Sequence, residues 1–116
     1  MKYLLTLNMN PVRWETLTDE QKNDVYEGHL AFIKLVTESG ELVETKAFSE
    51  PGAAKTVRVR EGVVRTTEGL LVEAETFFCG YYIVDVAGED RAVELAARIP
   101  DAKYTAIEVR AIVHEG

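Results

Sequence analysis

The stretch Phe77-Phe78-Cys79-Gly80-Tyr81-Tyr82-Ile83-Val84-Asp85-Val86 is apolar on both sides of an extended chain. Phe77, Cys79, Tyr81 and Ile83 fill one face, and Phe78, Tyr82, Val84 and Val86 fill the other. A strand of this kind has to be covered on both sides. Helices from the same chain can supply one cover. The other must come from elsewhere.

The remaining pattern says how many helices there are. Tyr3, Leu5, Leu7 and Met9 alternate with Leu4, Thr6 and Asn8, so the chain opens on a strand that breaks at Asn10-Pro11. Thr18 and Gln21 form a capping box before a helix over Asp19–Ser39, with Asp19 and Glu20 complementing its dipole and Gly40 stopping it. Glu41–Phe48 reads as a strand closed by the turn Ser49-Glu50-Pro51-Gly52. Thr56–Arg60, with Val57 and Val59 inward, and Val63–Thr67 form a hairpin around Glu61-Gly62. An irregular stretch from Glu68 to about Glu75 precedes the Phe77–Val86 strand. A second helix, roughly Asp90–Ile99, places Ala92, Leu95, Ala96 and Ile99 on one face and ends at Pro100. Tyr104–Val113 alternates as a last strand.

This order, β-α-β-hairpin-β-α-β, predicts an α+β fold: a ferredoxin-like antiparallel sheet with two helices on one face, in a single domain over 1–116. The simplest cover for the second face is another copy of the same sheet, so a homodimer is expected.

With 20 acidic residues against 13 basic ones, the net charge is −7. Phosphate backbones and anionic membrane surfaces need a cationic face, so neither nucleic acid nor membrane is an expected partner. The single cysteine, Cys79, permits no intramolecular disulfide and reads as a buried, unreactive thiol. The N-terminal alternation does not resemble a signal peptide, and a cytoplasmic protein is expected.

The anomalous residue is His29. At about 100° per residue, Val25, His29, Phe32, Ile33 and Val36 share one arc of the helix, with Tyr26 and Leu30 at its edge. An imidazole aimed at a core needs a partner. As a structural residue it would be satisfied by a backbone carbonyl, a water or a tyrosine hydroxyl. As a functional one it would be oriented by a carboxylate. Arg58, Arg60, Arg65 and Arg110 lie on strands, where they either pair with glutamates or converge on an anionic ligand. Tyr82, like Tyr81, would offer a pocket a phenol or else pack in the core. His114 sits near the C-terminal end. No close-spaced set of metal ligands is present, and no cofactor is implied.

The segments Met1-Lys2-Tyr3-Leu4-Leu5, His29-Leu30-Ala31-Phe32, Thr56-Val57-Arg58-Val59-Arg60-Glu61-Gly62, Gly80-Tyr81-Tyr82-Ile83-Val84-Asp85, Ala96-Ala97-Arg98-Ile99-Pro100 and Glu108-Val109-Arg110 together resemble the YCII-related family, in its DGPF-domain branch. The stretch that names the branch stands here as Thr67-Glu68-Gly69-Leu70-Leu71-Val72-Glu73, with glutamate for aspartate and Leu-Leu for Pro-Phe. The resemblance implies a ferredoxin-like protomer in a dimeric α+β barrel, and a site in which the helix histidine pairs with an aspartate. At the aligned position that partner would be Glu68, which would accept the imidazole N–H, set the tautomer and leave the other nitrogen free as general base or acid. A small-molecule ligand is then expected at His29 and Glu68. Two specific alternatives follow from the resemblance: an acid–base lyase similar to a dehydrochlorinase, and an interaction module associated with a sigma factor.

Overall fold

A computed structural model describes all residues 1–116. Its elements run β1 (Lys2–Met9), α1 (Pro11–Glu15), α2 (Asp19–Glu38), β2 (Leu42–Ala47), β3 (Lys55–Arg60), β4 (Val63–Glu68), β5 (Phe77–Asp85), α3 (Glu89–Ala96) and β6 (Val109–Ala111), with 3-10 turns at Pro51–Ala53 and Pro100–Lys103. Four strands form one antiparallel sheet in the order β2-β5-β1-β6, the ferredoxin-like arrangement of two split β-α-β units. β3 and β4 form a separate two-stranded sheet.

Register explains the core. Tyr3 pairs with Val84, Leu5 with Tyr82 and Leu7 with Gly80, so these side chains share one face. There they join Phe32 and Val36 of α2 and Ala92, Leu95 and Ala96 of α3 in one buried cluster. Both helices therefore cover the same face. Gly80 is required by close approach: a Cβ there would lie 2.6 Å from the Lys46 carbonyl oxygen on β2. The opposite face carries Leu4, Tyr81 and Ile83, all only half-buried, while Cys79, the extra residue where the β1–β5 register shifts, packs against the core cluster.

The helix of Asp19 ends as the pattern predicts. Thr18 and Gln21 close the capping box in both directions, Ser39 caps the C-terminus, and Gly40 takes φ 76°. Glu61 and Gly62 both adopt positive φ, as a tight hairpin turn demands.

Four expectations need correction. The break after Asn10 contains a short helix, α1, capped by the Asn10 side chain and begun by Pro11. Val57 and Val59 do not face inward, being 60% and 56% exposed, because nothing in the protomer packs over that hairpin. The second helix stops at Ala96 because Ile99, preceding Pro100, is forced to an extended conformation (ψ 127°). The last strand pairs regularly only over Val109–Ala111. Ahead of it, the Thr6 N–H still donates to the Glu108 carbonyl, and side chains add to that backbone bond. Thr6 Oγ1 accepts from the Glu108 N–H, and Asn8 Nδ2 donates to the Ala106 carbonyl.

The chain is flat and extended for its size. It measures 49 × 39 × 18 Å. Its radius of gyration of 16.4 Å exceeds the roughly 13 Å of a compact chain of about 100 residues.

One ion pair ties the start of β2 to α3. Glu41 accepts from Arg91 Nε at 2.9 Å and Nη2 at 2.8 Å, a two-point contact. The Arg91 hydrogen bond, outweighing the cost of burial, holds the Glu41 carboxyl down at about 2 from an ordinary 4.5. A depressed carboxylate stabilises the fold fully above its unfolded value, and that contribution fades as pH falls through the folded one. Urea unfolding should show wild-type stability declining more than that of Arg91→Ala between pH 4.5 and about 2. Parallel declines would show that the pair contributes nothing.

Candidate functional site

His29 lies midway along α2, one turn before the buried Phe32, and its ring reaches the end of the sheet. Both nitrogens are engaged. Nδ1 is 2.7 Å from the Tyr82 hydroxyl, and Nε2 is 2.6 Å from Asp101 Oδ1. The His29 and Tyr82 rings are nearly parallel, with centroids 6.0 Å apart. The neutral ring satisfies both contacts when Nε2–H donates to the Asp101 carboxylate and Nδ1 accepts from the Tyr82 O–H.

Three elements meet to make this contact. β5 presents Tyr82, which is 2% exposed and packs edge-on against Phe32. Burial, reinforced by the Asp101 charge, pushes its phenol up to about 12, so it remains a donor. α2 presents His29. The 3-10 turn after α3 presents Asp101, and Gly28 sets how near that turn can come. A Cβ at Gly28 would fall 2.5 Å from Pro100 Cγ and 3.2 Å from its Cβ. The missing side chain at Gly28 is what lets Asp101 reach His29.

Beside Asp101 opens a cavity of about 40 Å³, walled by Met9, Trp14, Leu17, Val25 and Tyr104. That is room for a few water-sized atoms. It adjoins an open depression that also includes Asn8, Arg13 and Glu108. Asp101, its side chain 19% exposed, lines the cavity, whereas His29, 23% exposed, stands behind it and does not.

Within one protomer, Glu68 is not brought to His29. Glu68 ends β4, is 83% exposed and pairs with Lys55 at 3.3 Å. Within one protomer, the carboxylate on His29 belongs to Asp101. Neither imidazole nitrogen is free, so the expected open position on His29 is absent too. Tyr82 is not a ligand contact, since its hydroxyl is buried and committed to His29. Arg58 and Arg60 lie on β3, away from the cavity, and Arg60 donates to the Val59 carbonyl. His114 is exposed near the C-terminal end. Cys79 is half-buried, with its thiol pushed up by burial, as expected of an unreactive residue.

Asp101 was missed because it follows a helix end with no motif around it. One signal did point there. Gly28 interrupts an apolar helix face immediately before His29, and a mid-helix glycine costs about 1 kcal/mol unless something packs against it.

Comparison with known families agrees with this architecture. The YCII-related domain matches residues 1–115, and the chain belongs to that family. No curated protein matches it. No helix is long and apolar enough to cross a membrane.

Gly28→Ala tests the close approach by the sign of its effect. Alanine should stabilise an unobstructed helix by about 1 kcal/mol, whereas overpacking against Pro100 costs about 1–3 kcal/mol. Urea unfolding should show a net loss of stability. A gain would mean that the turn carrying Asp101 does not lie against α2.

Proposed function

We propose that this YCII-family protein binds a small molecule beside Asp101 and moves a proton to or from it, as a lyase or isomerase does. The observation that carries this reading is the 2.6 Å contact between His29 Nε2 and Asp101 Oδ1 at the edge of a cavity. Since both imidazole nitrogens are occupied, the group that meets the ligand is Asp101. His29 holds the carboxylate in place by donating Nε2–H to Oδ1, and a proton taken from the ligand resides on the Asp101 carboxyl until it is returned. Tyr82 fixes the tautomer from behind. No serine or cysteine borders the cavity, and the Thr105 hydroxyl there is engaged in donating to the Asn8 carbonyl, which favours proton transfer over covalent catalysis.

The experiment is deuterium exchange. A panel of small carbonyl compounds is incubated with the protein in D₂O, and loss of C–H signals is followed by proton NMR. Wild type should exchange at least one compound, and Asp101→Asn should slow that exchange about 100-fold or more. Absence of exchange with every compound, or undiminished exchange in Asp101→Asn, would overturn the reading.

The working unit we propose is a homodimer. The half-exposed second sheet face and the uncovered hairpin, with Val57, Val59, Val63 and Val64 all more than half exposed, support it. Sedimentation equilibrium should return twice the protomer mass. A monomer would redirect these surfaces to a different partner, such as a sigma factor.

A further inference from the structure

We propose that Arg13 is the anion anchor of this site, and that the ligand is a small carboxylate with an apolar body. The inference rests on reading the Asp101 cavity as a small-molecule site, and it names the ligand's class.

Arg13 lies in the last turn of α1 and borders both the enclosed cavity and the open depression. It is the only arginine on the cavity wall, and no lysine joins it. Arg91 and Arg98 are held by Glu41 and Glu94, but the Arg13 guanidinium makes no ion pair. Instead it lies 6.0 Å from the centroid of the Tyr104 ring, at the outer limit of a cation–π contact. That leaves a planar fork of donors beside the cavity in a chain of net charge −7.

The surroundings choose among anions. Asp101 lies in the cavity and Glu108 in the adjoining depression, so a dianion such as a phosphate monoester meets two carboxylates with one cation to offset them. A carboxylate carries a single charge and matches the guanidinium fork at two points. The wall of Met9, Trp14, Leu17 and Val25 then takes only a small apolar edge of the ligand. The cavity of about 40 Å³ is too small for a whole ring, so the ligand lies mainly across the open depression and directs one end at Asp101. With its carboxylate on Arg13, a neighbouring C–H is the group presented to the Asp101 oxygen.

The single tryptophan, Trp14, lines this cavity and reports occupancy without a label. Cyclohexanecarboxylate and cyclohexanecarboxamide, matched in shape and differing in charge, are titrated while Trp14 fluorescence is followed. The carboxylate should give a saturable change and the amide should bind at least about tenfold more weakly. Arg13→Gln should weaken the carboxylate about tenfold or more, Arg13→Lys less, and Arg58→Gln not at all. Arg13 is exposed, so unchanged thermal melting of Arg13→Gln confirms an intact fold. Equal affinities for acid and amide, unaltered binding by Arg13→Gln, or no saturable binding of the acid would each overturn the proposal. The proton-transfer reading fails separately: Asp101→Asn keeping carboxylate binding while exchange is undiminished would remove that reading and leave the anchor standing.

Discussion

The approach of Pro100 to Gly28 decides where this protein can hold its chemistry. Pro100 drives Ile99 out of helical conformation, which ends α3 and starts the 3-10 turn that carries Asp101. Gly28 offers no Cβ, so that turn settles against α2 one residue from His29. Asp101 then meets Nε2. On the other side of the ring, Tyr82 brings a buried hydroxyl that must find a partner, and Nδ1 is that partner. Each polar group satisfies another, and no buried side-chain polar atom is left without a hydrogen bond. A fully satisfied network of this kind fixes geometry, because moving any member strands the next.

The fold was legible in the sequence because it rests on periodicity. The strand-and-helix alternation, the Thr18–Gln21 capping box, Gly40 and the Glu61-Gly62 turn all act locally, and the structure uses each as read. The site was half legible. His29 stood out because an imidazole breaks an apolar face, and a tyrosine hydroxyl was among its foreseeable partners. Its acid was not foreseeable, because Asp101 is 72 residues away and is brought in by the packing of a helix end. The family's motif directed attention to Glu68, which instead pairs with Lys55 on an exposed hairpin. The inward assignment of Val57 and Val59 failed for a related reason. Alternation shows that a face is apolar, but not which chain covers it.

Seen from the ligand's side, the site is a graded surface. Apolar walls lie between a carboxylate held by His29 and a guanidinium held by no acid. Both charged groups sit at element ends: Asp101 in a turn, and Arg13 in the last turn of a five-residue helix. The sheet and α2 supply rigidity beneath them. Ligand specificity in this reading belongs to short segments that can vary without disturbing the core.

The account depends on one imidazole being locked between two partners. Long-range ¹⁵N–¹H NMR of His29, at a pH where its ring is neutral, measures that directly. The Nε2–H tautomer should dominate, and Asp101→Asn should disturb this preference while leaving the remaining resonances near their wild-type positions. An Nδ1–H tautomer, or a ring averaging freely between the two forms in the wild type, would contradict it.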